Sequence, residues 1–173
     1  MYKLGYTFDI GIGAAPVDFN TAGATGKRVM LRNAQSVNFV CALAVAGGGT
    51  DDDVFTLSQH TAASAGTTAA LKVDHVWVKA AVALAGTESW TKVAVGVAGV
   101  GSGTITLPGA TYAADQVIML VEVNTKDLTD GFDYASLSIA DPGAGGTRVG
   151  TMLTVLTDLN VRRDPANLQP TLF

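Results

Sequence analysis

Apolar and polar residues alternate with a period of two over much of this chain, and that period places successive side chains on opposite faces of an extended strand. Leu4, Tyr6, Phe8, Ile10 and Ile12 alternate with Gly5, Thr7, Asp9, Gly11 and Gly13, which predicts a half-buried first strand ended by Gly13-Ala14-Ala15-Pro16. Val29 and Leu31 open a second strand. Val37, Phe39, Cys41, Leu43 and Val45 share one face of a third, stopped by the turn chemistry of Gly47 to Asp53. Val54 to His60 reads as a short strand and Thr61 to Thr68 as a loop. Val76, Val78, Ala80, Val82 and Leu84 share a face with Trp77 and Lys79 opposite, and Val93, Val95 and Val97 follow, so Val76 to Val97 is expected to be a hairpin. Val117 to Val123, Tyr134 to Ile139 and Val149 to Leu159 complete the set, the last two joined by a loop over residues 141–146. Only Ala110 to Asp115 and Thr125 to Asp130 invite a helical turn.

About nine short strands and no long helical period predict an all-β fold, an antiparallel β-sandwich or a jelly-roll-like barrel with extended terminal arms. Within a single domain, residues 1–25 form an N-terminal strand or arm, 26–161 the sandwich body and 162–173 a C-terminal tail. Composition agrees with this. Ala, Gly, Thr and Val make up about half of the 173 residues, and small and β-branched side chains suit short strands and turns. Charged residues are 15% and apolar residues 48%, which excludes an intrinsically disordered chain. A net charge of -4 argues against a basic nucleic-acid binder. No run of signal-peptide or membrane-spanning length is present, so the chain is expected to fold in a cytoplasm. Cys41 is the single cysteine, which leaves stability to the core or to neighbouring subunits.

Candidate chemistry is sparse. Gly23-Ala24-Thr25-Gly26-Lys27 has the end of a phosphate-binding loop but Thr21 and Arg28 where a glycine and a hydroxyl are required, so a turn is the better reading. Asp51, Asp52 and Asp53 offer oxygens to a hard cation, yet consecutive residues point in opposite directions and no bidentate Glu follows, which favours a solvated turn. His60 and His75 lack the spaced partners of a zinc site. Gly101-Ser102-Gly103 is not a nucleophile elbow, so no enzyme, cofactor or metal is expected. Trp77 stands opposite the apolar face of its strand, either covered by the loop at 61–70 or exposed as an intersubunit contact, where aromatics are enriched. Arg162, Arg163 and Asp164 form a charge cluster near the C-terminus, either solvated or paired with a partner. Trp77, Arg162, Arg163 and Phe173 are the candidate interface residues.

Four segments carry a resemblance. Phe55 to Gly66, Trp90-Thr91-Lys92-Val93, Val121-Glu122-Val123 with Leu128 and Asp130 to Tyr134, and Arg162 to Leu168 together resemble small structural proteins from the head-gene clusters of tailed bacteriophages. The resemblance implies a capsid decoration or cement protein on the exterior of the virion, assembled in the host cytoplasm. It would be a homo-oligomer such as a trimer, bound to the major capsid protein and touching neither nucleic acid nor membrane. A tail-tube, tail-terminator or head-completion protein is the nearest alternative, and a long lumen-lining hairpin would distinguish a tube subunit. A carbohydrate-binding module is a further alternative, and it requires Trp77, Trp90, Tyr112 and Tyr134, scattered in sequence, to converge.

Overall fold

A computed structural model describes residues 3–97, 99–143, 146–168 and 172–173. Its strands are β1 (Phe8–Asp18), β2 (Val29–Met30), β3 (Ala34–Leu43), β4 (Asp53–His60), β5 (Thr68–Ala70), β6 (His75–Ala81), β7 (Thr91–Ala94), β8 (Thr104–Leu107), β9 (Gln116–Asn124), β10 (Tyr134–Ile139) and β11 (Val149–Leu159). Two single-turn helices, α1 (Phe19–Ala22) and α2 (Gly109–Tyr112), interrupt them. The strands form two antiparallel sheets, one ordered β1-β11-β3-β9-β6-β7 and the other β2-β10-β4-β5 with β8 also on β4. The sheets pack as a sandwich, and no closed barrel forms.

The core follows from the alternation. Val37, Phe39, Cys41 and Leu43 of β3, Val117, Met119, Val121 and Val123 of β9, and Val76 and Val78 of β6 face Phe55 and Leu57 of β4, Leu137 and Ile139 of β10, and Ile105 and Leu107 of β8. Burial removes the Cys41 thiol from water and pushes its pKa far up, so it behaves as a small apolar side chain. The expected hairpin is present, with Val76 opposite Val93 and Trp77 opposite Lys92. Its β6 strand ends at Ala81, and Val82, counted among the inward residues in the sequence, is 72% exposed. Of the loop at 141–146, Ala144 and Gly145 lie outside the described residues.

The first strand departs most from its pattern. Residues 5–7 turn rather than extend, β1 begins at Phe8, and Ile10 and Ile12 are 53% and 51% exposed while Gly13 is buried. The apolar set has taken the outer face, as a one-residue shift of register would require. The reason lies at the other end of the chain. A Cβ at Gly11 would collide with Leu172, whose side chain packs against the core at this place. Arg163 donates its backbone N–H to the Gly5 carbonyl, and Phe173 exchanges two backbone hydrogen bonds with Arg28 next to β2. The described parts of both terminal segments thus lie on their own body: residues 8–18 as an edge strand, the tail across the gap between β1 and β2.

Candidate functional site

The outer face of the six-stranded sheet carries the side chains most able to meet a partner. Directly opposed residues share a face, and the register sets Ile12 beside Leu153, Leu153 beside Val40, Val40 beside Leu120, Leu120 beside Trp77 and Trp77 beside Lys92. An apolar row therefore crosses five strands on the side turned away from the core. A second row sets Ile10 beside Val155 and Val155 beside Asn38. The β1–β11–β3 half of the face is aliphatic. Val161 and Arg163, where the tail leaves β11, instead line a small cleft with Asp9, Leu156 and Leu168, on the other face of β1 and β11 from Ile10 and Val155.

The β9–β6–β7 half differs in chemistry. Trp77 is half-buried, donates its indole N–H to Glu122 Oε2 at 3.1 Å and meets the His75 ring edge-on at 5.5 Å between centroids. The Lys79 ammonium stands 5.0 Å from the centre of the Trp90 ring. Trp77, Trp90, Leu120 and Glu122 line a shallow trough of about 220 Å³. Beside it, and sharing Glu122, lies a polar cleft of about 360 Å³ whose walls include Lys72, Asp74, His75, Asn124 and Asp127. Asp74 holds the His75 ring through Nδ1, and that contact draws the Asp74 carboxyl below its usual range. Trp77 is not covered by the loop at 61–70, which belongs to the opposite sheet through the β4–β5 pairing. The two tryptophans, distant in sequence, converge because the β6–β7 hairpin brings residues 77 and 90 onto one face.

The other candidates are accounted for within the fold. Asp51 is exposed, Asp52 accepts the Gly109 N–H at 2.8 Å, and Asp53 is buried in an ion pair with Arg148, so the three carboxylates diverge. The solvated turn expected at 51–53 holds for Asp51 and Asp52 and fails for Asp53, because β4 begins there and its inward register carries the carboxylate inside. Burial pushes the Asp53 carboxyl up, and the Arg148 guanidinium works against that shift. No group of three His, Cys, Asp or Glu side chains among the described residues is placed to hold a metal ion. His60 is buried and sits between Thr68 Oγ1 at 2.9 Å and Ser136 Oγ at 2.8 Å, a structural arrangement closed to a substrate. Residues 23–27, expected as a turn, run extended beside β10, with Ala24 bridged to Ile139 and the Gly26 N–H donated to Ser138 Oγ. Phe173, 50% exposed, packs edge-on against Tyr134 at 6.0 Å.

No family model, no curated protein and no solved structure matches this chain. The outer face is therefore read from its own geometry. Sequence reasoning named Trp77 but missed Ile10, Ile12, Val40, Leu153 and Val155 as surface residues, because an apolar alternation looks the same whichever face it occupies. It missed Arg148 altogether, since nothing in Gly-Gly-Thr-Arg-Val distinguishes a buried arginine from a solvated one. No described helix is long and apolar enough to cross a membrane.

Proposed function

We propose that the protein is a structural subunit of a tailed-bacteriophage virion, a decoration or cement protein that coats the exterior of the head shell by binding the major capsid protein and copies of itself. The observation that carries this reading is the aliphatic half of the outer face, where Ile10, Ile12, Val40, Leu153 and Val155 present apolar surface in register on a rigid sheet. Ile10 and Ile12 are exposed and Val40, Leu153 and Val155 half-buried, and apolar side chains grouped at a surface in this way mark protein–protein contact. Arg162 and Arg163, exposed on the tail, offer polar contacts to a partner, while Phe173 lies against Tyr134 on the other sheet and is not part of this face. Each contact is weak alone, and many copies on one lattice give avidity.

The shell is favoured over the tail tube because β6 and β7 lie within the six-stranded sheet, with β6 hydrogen-bonded to β9 along its length, rather than projecting as a free hairpin. Cryo-electron microscopy of purified virions tests the assignment: many copies following the capsid lattice are expected. A few copies at the neck, a stack in the tail, or no copies in the particle overturn it. In a reconstitution with undecorated heads, Ile12→Asp and Leu153→Asp are expected to abolish attachment while circular dichroism stays unchanged.

A further inference from the structure

The β9–β6–β7 half of the outer face differs in chemistry from the aliphatic half, with two tryptophans set among charged side chains. Cross-strand register makes a checkerboard there: Trp77 opposes Lys92, and Lys79 lies over Trp90. Leu120 and Glu122 complete the lining of the trough, and Glu122 also lines the polar cleft. An aromatic trough running into a polar cleft offers stacking for one ring of a ligand and hydrogen bonds for the next, the combination of apolar walls and a few placed polar groups that defines a ligand site.

The charges decide what kind of ligand fits. Lys79 and Lys92 stand on the rim with Glu122, and the carboxylates of Asp74 and Glu88 lie close enough to feel those ammonium groups. Neither sign prevails, so an anion meets carboxylates and a cation meets lysines. A strand of nucleic acid also stacks its bases on aromatics, but it needs a positive groove to follow its phosphates, and here carboxylates flank the rings. A neutral ligand with apolar C–H faces and hydroxyls that donate and accept equally satisfies both halves of the site. We propose that this surface binds a neutral oligosaccharide, one pyranose ring seated in the trough lined by Trp77 and Trp90 and the adjoining unit hydrogen-bonded in the cleft walled by Asp74, His75, Asn124 and Asp127. The site is open on the outer face, so it takes the middle of a polysaccharide chain as readily as its end. It goes beyond a place in the virion and gives the molecule a means of adhering to a glycan surface.

The test is binding of the full chain to gluco-, galacto- and manno-configured hexasaccharides, followed by tryptophan fluorescence and calorimetry. At least one neutral series is expected to bind, with affinity unchanged between low and high salt. Trp90→Ala and Trp77→Ala are each expected to weaken binding about tenfold or more. Trp90 is 43% exposed, so its removal leaves the core intact, and a thermal melt confirms the fold of each variant. Leu153→Asp, on the aliphatic half of the face, is expected to leave saccharide binding unchanged. The proposal is overturned if no neutral hexasaccharide binds, if Trp90→Ala binds as tightly as the parent, or if an acidic saccharide or a single-stranded oligonucleotide binds more tightly than every neutral one.

Discussion

Two arginine–aspartate pairs with near-identical closest distances stand in opposite surroundings. Arg32 Nη2 lies 2.7 Å from Asp133 Oδ2 and Arg148 Nη2 lies 2.8 Å from Asp53 Oδ2. The side chains of the first pair are 67% and 32% exposed, those of the second 2% and 3%. In the exposed pair water screens the attraction and solvates either partner once the other is gone. In the buried pair neither partner has that recourse. Arg148 uses its fork fully: Nε and Nη2 both bond Asp53, Nη1 reaches the carbonyls of Ala44 and Asp115, and Nη2 also reaches that of Tyr112. Its backbone N–H goes to Asp18 Oδ1 at 2.7 Å, the carboxylate that also caps α1. Arg148, just before β11, therefore ties the ends of β3 and α2 to the start of β4 through its side chain and the end of β1 through its backbone. The lesson is that distance does not measure what a pair contributes; what surrounds it does.

The largest effect is expected at the buried pair. Arg148→Met strands the Asp53 carboxylate and is expected to cost about 3–5 kcal/mol in urea unfolding. Adding Asp53→Leu tests whether the pair alone matters. Because the carbonyls of Ala44, Tyr112 and Asp115 stay unpaired, the double variant is expected to recover only part of the loss, and full recovery would show that the carbonyl contacts contribute nothing. An intermediate effect is expected at His60, buried like Arg148 but uncharged. His60→Phe leaves the buried Ser136 hydroxyl without its partner, while the exposed Thr68 hydroxyl can turn to water, and is expected to cost about 1–3 kcal/mol.

His60 also makes the comparison dependent on pH. Burial, with a smaller contribution from Arg28, holds its imidazole below the ordinary value of 6.5. The unfolded chain then takes up the proton first, so the stability contributed by neutral His60 is complete above that value and is lost as pH falls beneath it. Urea midpoints measured between pH 7.5 and 5 are expected to decline with acid in the parent and more shallowly in His60→Phe. The smallest effect belongs to the exposed pair: Arg32→Ala is expected to leave the urea midpoint unchanged within error. Added salt separates the pairs again, since the Arg32–Asp133 attraction fades at high ionic strength and the Arg148–Asp53 contact does not.

Much of the architecture was legible because the alternation is local. Tyr134 to Ile139 and Val149 to Leu159 coincide with β10 and β11, and the inward set of β3 matches from Val37 to Leu43. Two strands escaped notice, β5 and β8, whose three and four residues are too short to show a period beside glycine and threonine. The inverted face of β1 escaped for a different reason. What fills the space above Gly11 is Leu172, and no window along the chain contains both. The same holds for the outer face: Trp77 and Trp90 become one trough through a hairpin register, and Ile12, Leu153 and Val40 become one patch through pairings that span the chain. Local pattern gives strands, while sites are made by the order in which strands meet.

That order has a kinetic side. β11 is made after every other strand described, yet it lies between β1 and β3, and the bond from Thr151 Oγ1 to the Ala14 carbonyl joins residues 137 apart. β3, β9, β6 and β7 can pair as soon as β9 leaves the ribosome. β1, synthesised before all of them, has no neighbour in its sheet until β11 arrives, and it waits with Ile10 and Ile12 in water. Closing so distant a pairing is slow, and an unpaired apolar strand is prone to join the wrong chain. In pulse-labelled refolding the amides of β1 are expected to gain protection last. Translation thus sets a period of vulnerability for each molecule, which ends when β11 enters the middle of the sheet.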